Sequence, residues 1–143
     1  TFSPNASCTR GQMVTFLWRA AGSPAPKSAE NPFTDVNKGD YFYDAVLWAV
    51  EQGITSGTSA TTFSPNATVT RGHTVTFLWR ANASPVVNFA MNFTDVNESA
   101  YYAEAVRWAV SENITAGTGA NAFSPDAPCT RGQIVTFLWK DRA

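Results

Sequence analysis

Phe63-Ser64-Pro65-Asn66-Ala67-Thr68-Val69-Thr70-Arg71-Gly72-His73-Thr74-Val75-Thr76-Phe77-Leu78-Trp79-Arg80-Ala81 decides the reading, because the chain contains this stretch three times. Residues 2–20 read FSPNASCTRGQMVTFLWRA and match it at 15 of 19 positions. Residues 123–141 read FSPDAPCTRGQIVTFLWKD and match at 12 of 19. The offsets are 61 and 60 residues, so the chain is a tandem repeat before it is anything else.

A second block lies between the copies. Phe33-Thr34-Asp35-Val36 leads into Tyr41-Phe42-Tyr43-Asp44-Ala45-Val46-Leu47-Trp48-Ala49-Val50, and Phe93-Thr94-Asp95-Val96 into Tyr101-Tyr102-Ala103-Glu104-Ala105-Val106-Arg107-Trp108-Ala109-Val110. With the FTDV…W stretch as block A and the FSP…FLW stretch as block B, the order is B–AB–AB. Residues 1–143 are expected to form one domain: 1–26 the C-terminal half of a first repeat, 27–86 the second and 87–143 the third. Gly22-Ser23-Pro24-Ala25-Pro26-Lys27-Ser28 and Asn82-Ala83-Ser84-Pro85 are turn-forming linkers between repeats. Near-identical blocks bury their apolar faces against one another. Because the sequence starts mid-pattern, it reads as a fragment of a longer protein.

Block A predicts a helix. Tyr41, Ala45, Trp48, Ala49 and Gln52 form one stripe, and Gly53, with Asn113 as its counterpart, is the stop. Ile54-Thr55-Ser56-Gly57-Thr58 and Ile114-Thr115-Ala116-Gly117-Thr118 then anchor the chain and turn it. In block B the helix follows Phe-Ser-Pro. Thr9 with Gln12, and Thr130 with Gln133, form capping boxes, and His73 makes the middle one weaker. The expected class is mostly α: five main helices, ordered loops, and any strand short, around Ile54-Thr55 and Phe63-Ser64.

The composition narrows function. Net charge is −1, without the basic footprint of a duplex nucleic-acid binder. No run approaches the roughly 20 apolar residues of a membrane span. His73 is the single histidine, and its repeat partners are Gln12 and Gln133. No Cys/His cluster has metal spacing, no glycine loop is built for phosphate, and no carboxylate pair is singled out by its setting. No cofactor, metal or catalytic residue is expected, and the chain does not read as an enzyme.

The series F-x-D-V, Y-x-x-A-V-x-x-A, G-I-x-x-G, F-x-P and a Thr-Arg-x-x helix start resembles the S-layer homology family over almost the whole chain. It departs in having Thr-Arg-Gly-Gln or Thr-Arg-Gly-His where the best-known form is Thr-Arg-Ala-Glu. The resemblance implies a pseudo-threefold arrangement of repeats around a central helix bundle. It also implies an extracellular, cell-wall-associated module that binds secondary cell-wall polysaccharide, often pyruvylated, in grooves between repeats. The binding positions it carries over are Arg10, Arg71, Arg131, Asp35, Asp95, Gly57 and Gly117, with Trp48 and Trp108 as groove walls. Each arginine follows a helix N-cap, where backbone N–H groups and a guanidinium together suit a carboxylate.

Each of these residues also has a plainer role. The arginines can pair with a neighbouring repeat's aspartate, the aspartates can cap turns, the tryptophans can be core and the glycines can be turn residues. Cys8 and Cys129 share one repeat position, with Val69 between them. They are either two small buried apolar groups or a disulfide converging on the pseudo-threefold axis, which in chain-entropy terms is worth about 5 kcal/mol. The alternative function is an assembly module, a homo-oligomer in which another chain supplies the missing first block A as a swapped dimer or filament.

Overall fold

The five helices form where their local signals place them, in a computed structural model that describes residues 6–27, 30–90, 93–119 and 121–142. They are α1 Arg10–Ala20, α2 Tyr43–Glu51, α3 Arg71–Ala81, α4 Ala103–Ser111 and α5 Arg131–Arg142. Phe2-Ser3-Pro4 and the linker residue Ser28 lie outside the described residues.

Helices α1, α3 and α5 start on capping boxes. The Thr9 hydroxyl accepts from Gln12 N at 3.1 Å, and Gln12 Oε1 accepts from Thr9 N at 2.9 Å. Thr130 and Gln133 repeat this at 3.1 and 3.0 Å. At α3 the return bond runs from Thr70 N to His73 Nδ1 and stretches to 3.4 Å, the weaker cap expected there.

Helix α2 ends in a Schellman motif. Gly53 sits at φ 74°, its N–H donates to Val50 O, and Ile54 N donates to Ala49 O at 2.9 Å. Asn113, at φ 60°, closes α4 in the same way, with Ile114 N donating to Ala109 O at 2.8 Å. Ile54 and Ile114 are buried just beyond, anchoring the chain.

Two expectations need correcting. The block-A stripe is shorter than its spacing suggests. Ala45, Trp48 and Ala49 are buried, but a turn holds residues 37–43, so α2 begins at Tyr43 and leaves Tyr41 largely exposed. No strand forms around Ile54-Thr55 or Phe63-Ser64. Phe63 N and Ser64 N donate to the Asp35 carboxylate, and Ser64 sits at φ 61°, so this segment has no extended neighbour to pair with. Among the described residues, extended pairing is limited to isolated bridges. Three of these, Ser7 with Thr130, Thr9 with Thr68 and Thr70 with Pro128, join one repeat to the next.

Those bridges surround a closed ring. Val69 N donates to Cys8 O (2.8 Å), Cys129 N to Val69 O (3.0 Å) and Cys8 N to Cys129 O (3.1 Å). A wider ring repeats the pattern, with Arg10 N donating to Ala67 O, Arg71 N to Ala127 O and Arg131 N to Ala6 O, each at 2.9 Å. Three equivalent strand-like segments thus satisfy one another in a cycle, which makes the fold a pseudo-threefold repeat domain. Helices α1, α3 and α5 leave this axis, and α5 touches both α1 and α3. Helix α2 packs on α1 and α4 on α3, with one hydrophobic core running through all of them.

The glycine of Thr-Arg-Gly follows from that packing. A Cβ on Gly11 would stand 3.0 Å from Phe42 Cδ2, and one on Gly72 3.1 Å from Tyr102 Cδ2. An alanine at either place fits only if the ring and the adjacent Pro65 or Pro125 carbonyl give way by a few tenths of an ångström, so glycine suits the close approach.

Of the two readings of Cys8 and Cys129, the structure has both as free, fully buried thiols. They meet through their backbones at the axis, where the peptide ring, rather than a sulfur bridge, closes the cycle. Burial pushes the Cys8 thiol up to about 11 against the pull of Arg131, and it raises Cys129 as well. The thiolates that oxidation and alkylation require are therefore scarce.

Two predictions follow from this packing. Neither thiol should react with iodoacetamide in the native state, and intact mass should show two additions once the chain is unfolded in urea without reductant. Gly57 sits at φ 90°, and a Cβ there would lie 2.6 Å from both Thr62 O and Phe33 Cε1. Gly57→Ala should therefore destabilise well beyond Gly53→Ala, which meets nothing within 4 Å and carries only the left-handed backbone penalty of about 1–2 kcal/mol. Urea midpoints of the two variants measure the difference.

Candidate functional site

The second residue of each Thr-Arg-Gly is the start of the site. Arg10 and Arg71 are 5% and 4% exposed, an unusual depth for a group that stays charged. Arg10 Nε donates to Phe63 O at 3.0 Å, and Arg71 Nε to Phe123 O at 2.9 Å. Each guanidinium lies between two rings of the next repeat. Arg10 is 4.8 Å from the centroid of Phe63 and 5.5 Å from that of Phe77, and Arg71 is 4.8 and 5.7 Å from Phe123 and Phe137. Arg131 stands 5.3 Å over Phe16, closing the cycle. Burial lowers the pKa of both Arg10 and Arg71, opposed by Tyr101 and Asp35 for Arg10 and by Cys129 and Asp95 for Arg71.

Asp35 and Asp95 hold the other side of the same peptide groups. Asp35 accepts from Phe63 N (2.9 Å) and Ser64 N (2.8 Å), and Asp95 accepts from Phe123 N and Ser124 N at the same distances. Aspartate, turn peptide and arginine form one chain, so Asp35 acts on Arg10 through the backbone and not by a direct salt bridge. The helix N-termini are engaged too: Arg10 N, Gly11 N and Gln12 N all have partners in Ala67, Pro65 and Thr9. The neighbouring repeat thus takes Arg10 N and Gly11 N, and the helix's own N-cap takes Gln12 N, so these N–H groups already have acceptors within the chain.

Gly117 adjoins Arg71. A cavity of ≈ 770 Å³ opens between the loop at 114–118 and α5, lined by Arg71, Gly117, Gln133, Thr136, Phe137 and Lys140. A smaller one of ≈ 220 Å³ lies beside α1, lined by Arg131, Gln12, Thr15, Phe16, Arg19 and Tyr41. At the equivalent place on α3, Arg80 Nη1 donates to Ile54 O at 3.1 Å and ties the helix to the loop bearing Gly57. There His73 stacks 5.7 Å from Tyr101, and burial, with Arg10 next, lowers its pKa.

Trp48 and Trp108 do not stand in these grooves with the arginines. Both are buried in the core, and Trp48 instead borders a ≈ 300 Å³ cavity at the far ends of the helices, with Leu17, Leu138 and Arg80. Sequence reasoning missed the helix residues that line the grooves: Gln12 and Gln133, Thr15 and Thr136, Phe16 and Phe137, Arg19 and Lys140. The signal was present, since a cation occupies the equivalent of position 19 in every copy, as Arg19, Arg80 and Lys140.

The arrangement is a cyclic set of helical repeats with polar, cation-bearing grooves between them. The S-layer homology domain pattern matches residues 32–75 and 92–135, and the chain belongs to that family. It is similar to a surface-layer 125 kDa protein of Lysinibacillus sphaericus, 30% identical over 96% of this chain and 12% of the relative. It is likewise similar to an endoglucanase of Bacillus sp. (strain KSM-635), 31% identical over 98% of this chain and 16% of the relative. A cell surface protein of Thermoanaerobacter kivui is 48% identical over 32% of this chain and 6% of its own length. The chain thus spans less than a fifth of the relatives it matches. Domains of this family are cell-wall anchoring modules of S-layer and surface proteins, and the chain is a cell-surface module of that kind. No described helix is long and apolar enough to cross a membrane.

The buried arginines should behave as structural groups. Arg71→Ala should destabilise the fold by about 2–3 kcal/mol, the loss of a charge-assisted bond to a buried carbonyl. Arg71→Lys should fail to restore it, since a lysine cannot stack between two rings and donate sideways at once. Lys140→Ala, at an exposed position, should stay within about 0.5 kcal/mol of wild type by urea denaturation.

Proposed function

We propose that the chain anchors its parent protein to the bacterial wall by binding an anionic secondary cell-wall polysaccharide, pyruvylated in the simplest case, in the grooves between repeats. The observation that carries this reading is the groove beside α5. Its ≈ 770 Å³ suits a short saccharide, and Gln133, Thr136 and a Phe137 edge offer the mix of amide, hydroxyl and ring that sugars require. The buried Arg71 provides the fixed positive field at one end. Lys140, exposed near the other, is the cation free to pair with a carboxylate in water. Gly117 brings the backbone to the same surface. Asp35, Asp95 and Gly57 serve the site by holding the turns and arginines in place, and Trp48 and Trp108 serve it as core. The smaller groove, with Arg19, Gln12 and Arg131, is a second place for the same polymer. This chain performs no catalysis of its own on this reading, and any reaction of the parent protein belongs to other domains.

Co-sedimentation with purified sacculi of the host organism tests the reading. Native sacculi should bind the chain, and sacculi stripped of secondary polysaccharide should not. Lys140→Ala and Arg19→Ala should each weaken binding roughly fivefold, about the 1 kcal/mol of a partly screened ion pair. Added salt should reduce wild-type binding more than that of the double variant. Equal binding to stripped and native sacculi would sink the proposal.

A further inference from the structure

The block-B helices differ in chemistry at one capping position. Gln12 and Gln133 accept from their N-cap N–H through an amide oxygen, which keeps that capacity at any ordinary pH. On α3 the acceptor is a ring nitrogen, His73 Nδ1, 3.4 Å from Thr70 N. A neutral imidazole has one acceptor nitrogen; with Nδ1 in that role, the ring proton sits on Nε2. An imidazolium has no acceptor, because both nitrogens then donate. A proton gained by His73 therefore removes the return bond of the capping box and sets one N–H against another.

The ring stands where the three repeats meet. Tyr101 of the third repeat stacks on it at 5.7 Å, with the planes 29° apart, and Phe77 of α3 lies at 6.4 Å and 21°. Phe77 in turn carries the guanidinium of Arg10, from the first repeat, 5.5 Å from its centroid. One residue before His73, Gly72 lets the ring of Tyr102 approach, and Tyr101 and Tyr102 form a T-shaped pair at 5.1 Å. The segment leading into α4 thus rests on α3 through Gly72 and His73.

Titratable and charged groups face the ring from α1, from α3 itself, from the loop before α5 and from the turn before α4. Arg10 and Arg80 oppose a proton on it, and Asp126 favours one. Tyr101 is uncharged, its own pKa raised first by burial. The two aromatic faces favour a cation. Against them stand burial, the fixed guanidinium of Arg10 and the lost bond to Thr70. Burial first, and Arg10 next, hold the imidazole below its ordinary range.

We infer that His73 makes the junction of α3 and α4 pH-sensitive: while neutral it caps α3 and supports Tyr101, and on taking up a proton it releases Thr70 N–H and loosens the third repeat from the second. The glutamine-capped helices α1 and α5 have no such response. Because the folded chain favours the neutral ring, the stabilisation is complete above the pKa of a free imidazole. It is lost as pH falls through the lower pKa of the folded chain. Within that window each unit of pH shifts the balance toward the unfolded chain by up to about tenfold. The response belongs to the chain alone and needs no bound polymer.

His73 is the single histidine, so its ring resonances in the 143-residue chain report on one site. In the folded chain they should titrate at a lower pH than in the same chain unfolded in urea, and the nitrogen shifts at neutral pH should show the Nε2–H form. The Thr70 amide resonance should move with the same midpoint, and those of Thr9 and Thr130 should not follow it. Urea midpoints of the wild type should fall between neutral and mildly acidic pH. His73→Gln, which installs the residue of the sister helices, should lessen that fall. If this variant does not fold, the ring and amide titrations decide by themselves. A ring that titrates at or above its unfolded value, a Thr70 amide indifferent to the ring, or the same acid loss in wild type and His73→Gln would each overturn the inference.

Discussion

A buried guanidinium between two repeats is the constraint on which the structure rests. Arg10 reaches out of its own repeat to the carbonyl of Phe63, and Asp35 grips the N–H groups of Phe63 and Ser64 from the other side. A charge removed from water is tolerable only where its donors and its field are answered, and here a carbonyl, two aromatic faces and a carboxylate one peptide away supply the answer. Arg71, Phe123 and Asp95 repeat the device. Because the arginine links cross from one repeat to the next and the aspartate links fix each turn within its own repeat, the repeats cannot rotate about the axis without breaking them. Around that fixed frame the backbone ring of Cys8, Val69 and Cys129 closes, and the helices take their angles.

The grooves follow from this arrangement. Docking the turn of one repeat against the helix start of the next leaves a trough beside the helix, with the buried arginine at its base. The same scaffold then carries three different linings. Beside α5 the trough is open and rimmed by Gln133 and Lys140. Beside α1 a smaller one has Gln12, Arg19 and Tyr41. Beside α3, Arg80 bridges to Ile54 O and His73 is stacked against Tyr101. Divergence at the rim costs little because the base is held by other residues. A repeat can thus keep its fold while each groove acquires its own preference for charge and hydrogen-bonding groups.

Much was legible in the sequence because it depends on neighbours within a few residues. Thr9 and Gln12, or Gly53 and Ile54, decide a helix end by bonds spanning three to five positions, and those signals hold whatever the rest of the chain does. The three-copy pattern also made the common architecture readable, since identical blocks must meet identical environments wherever the cycle allows. Reading fell short where two segments compete for one group. Phe63 and Ser64 have the composition of a strand edge, but their N–H groups go to a carboxylate 28 and 29 residues away. The N–H groups at the start of α1 look like an anion seat until Pro65 and Ala67 arrive to occupy them.

The sequence by itself therefore determined the repeat, the helices, their caps and the family, because periodicity and capping are local and survive any tertiary arrangement. Only the tertiary structure decided what the singled-out side chains do. It placed Arg10 and Arg71 inside the repeat interface, left the cysteines as separate buried thiols, and lined the groove beside α5 with Gln133, Thr136 and Lys140. Burial is a property of what arrives from 50 or 60 residues away, and no spacing within a motif records it. The same reason explains why Val135 and Trp139, identical in sequence to residues sheltered elsewhere in the chain, stand in solvent.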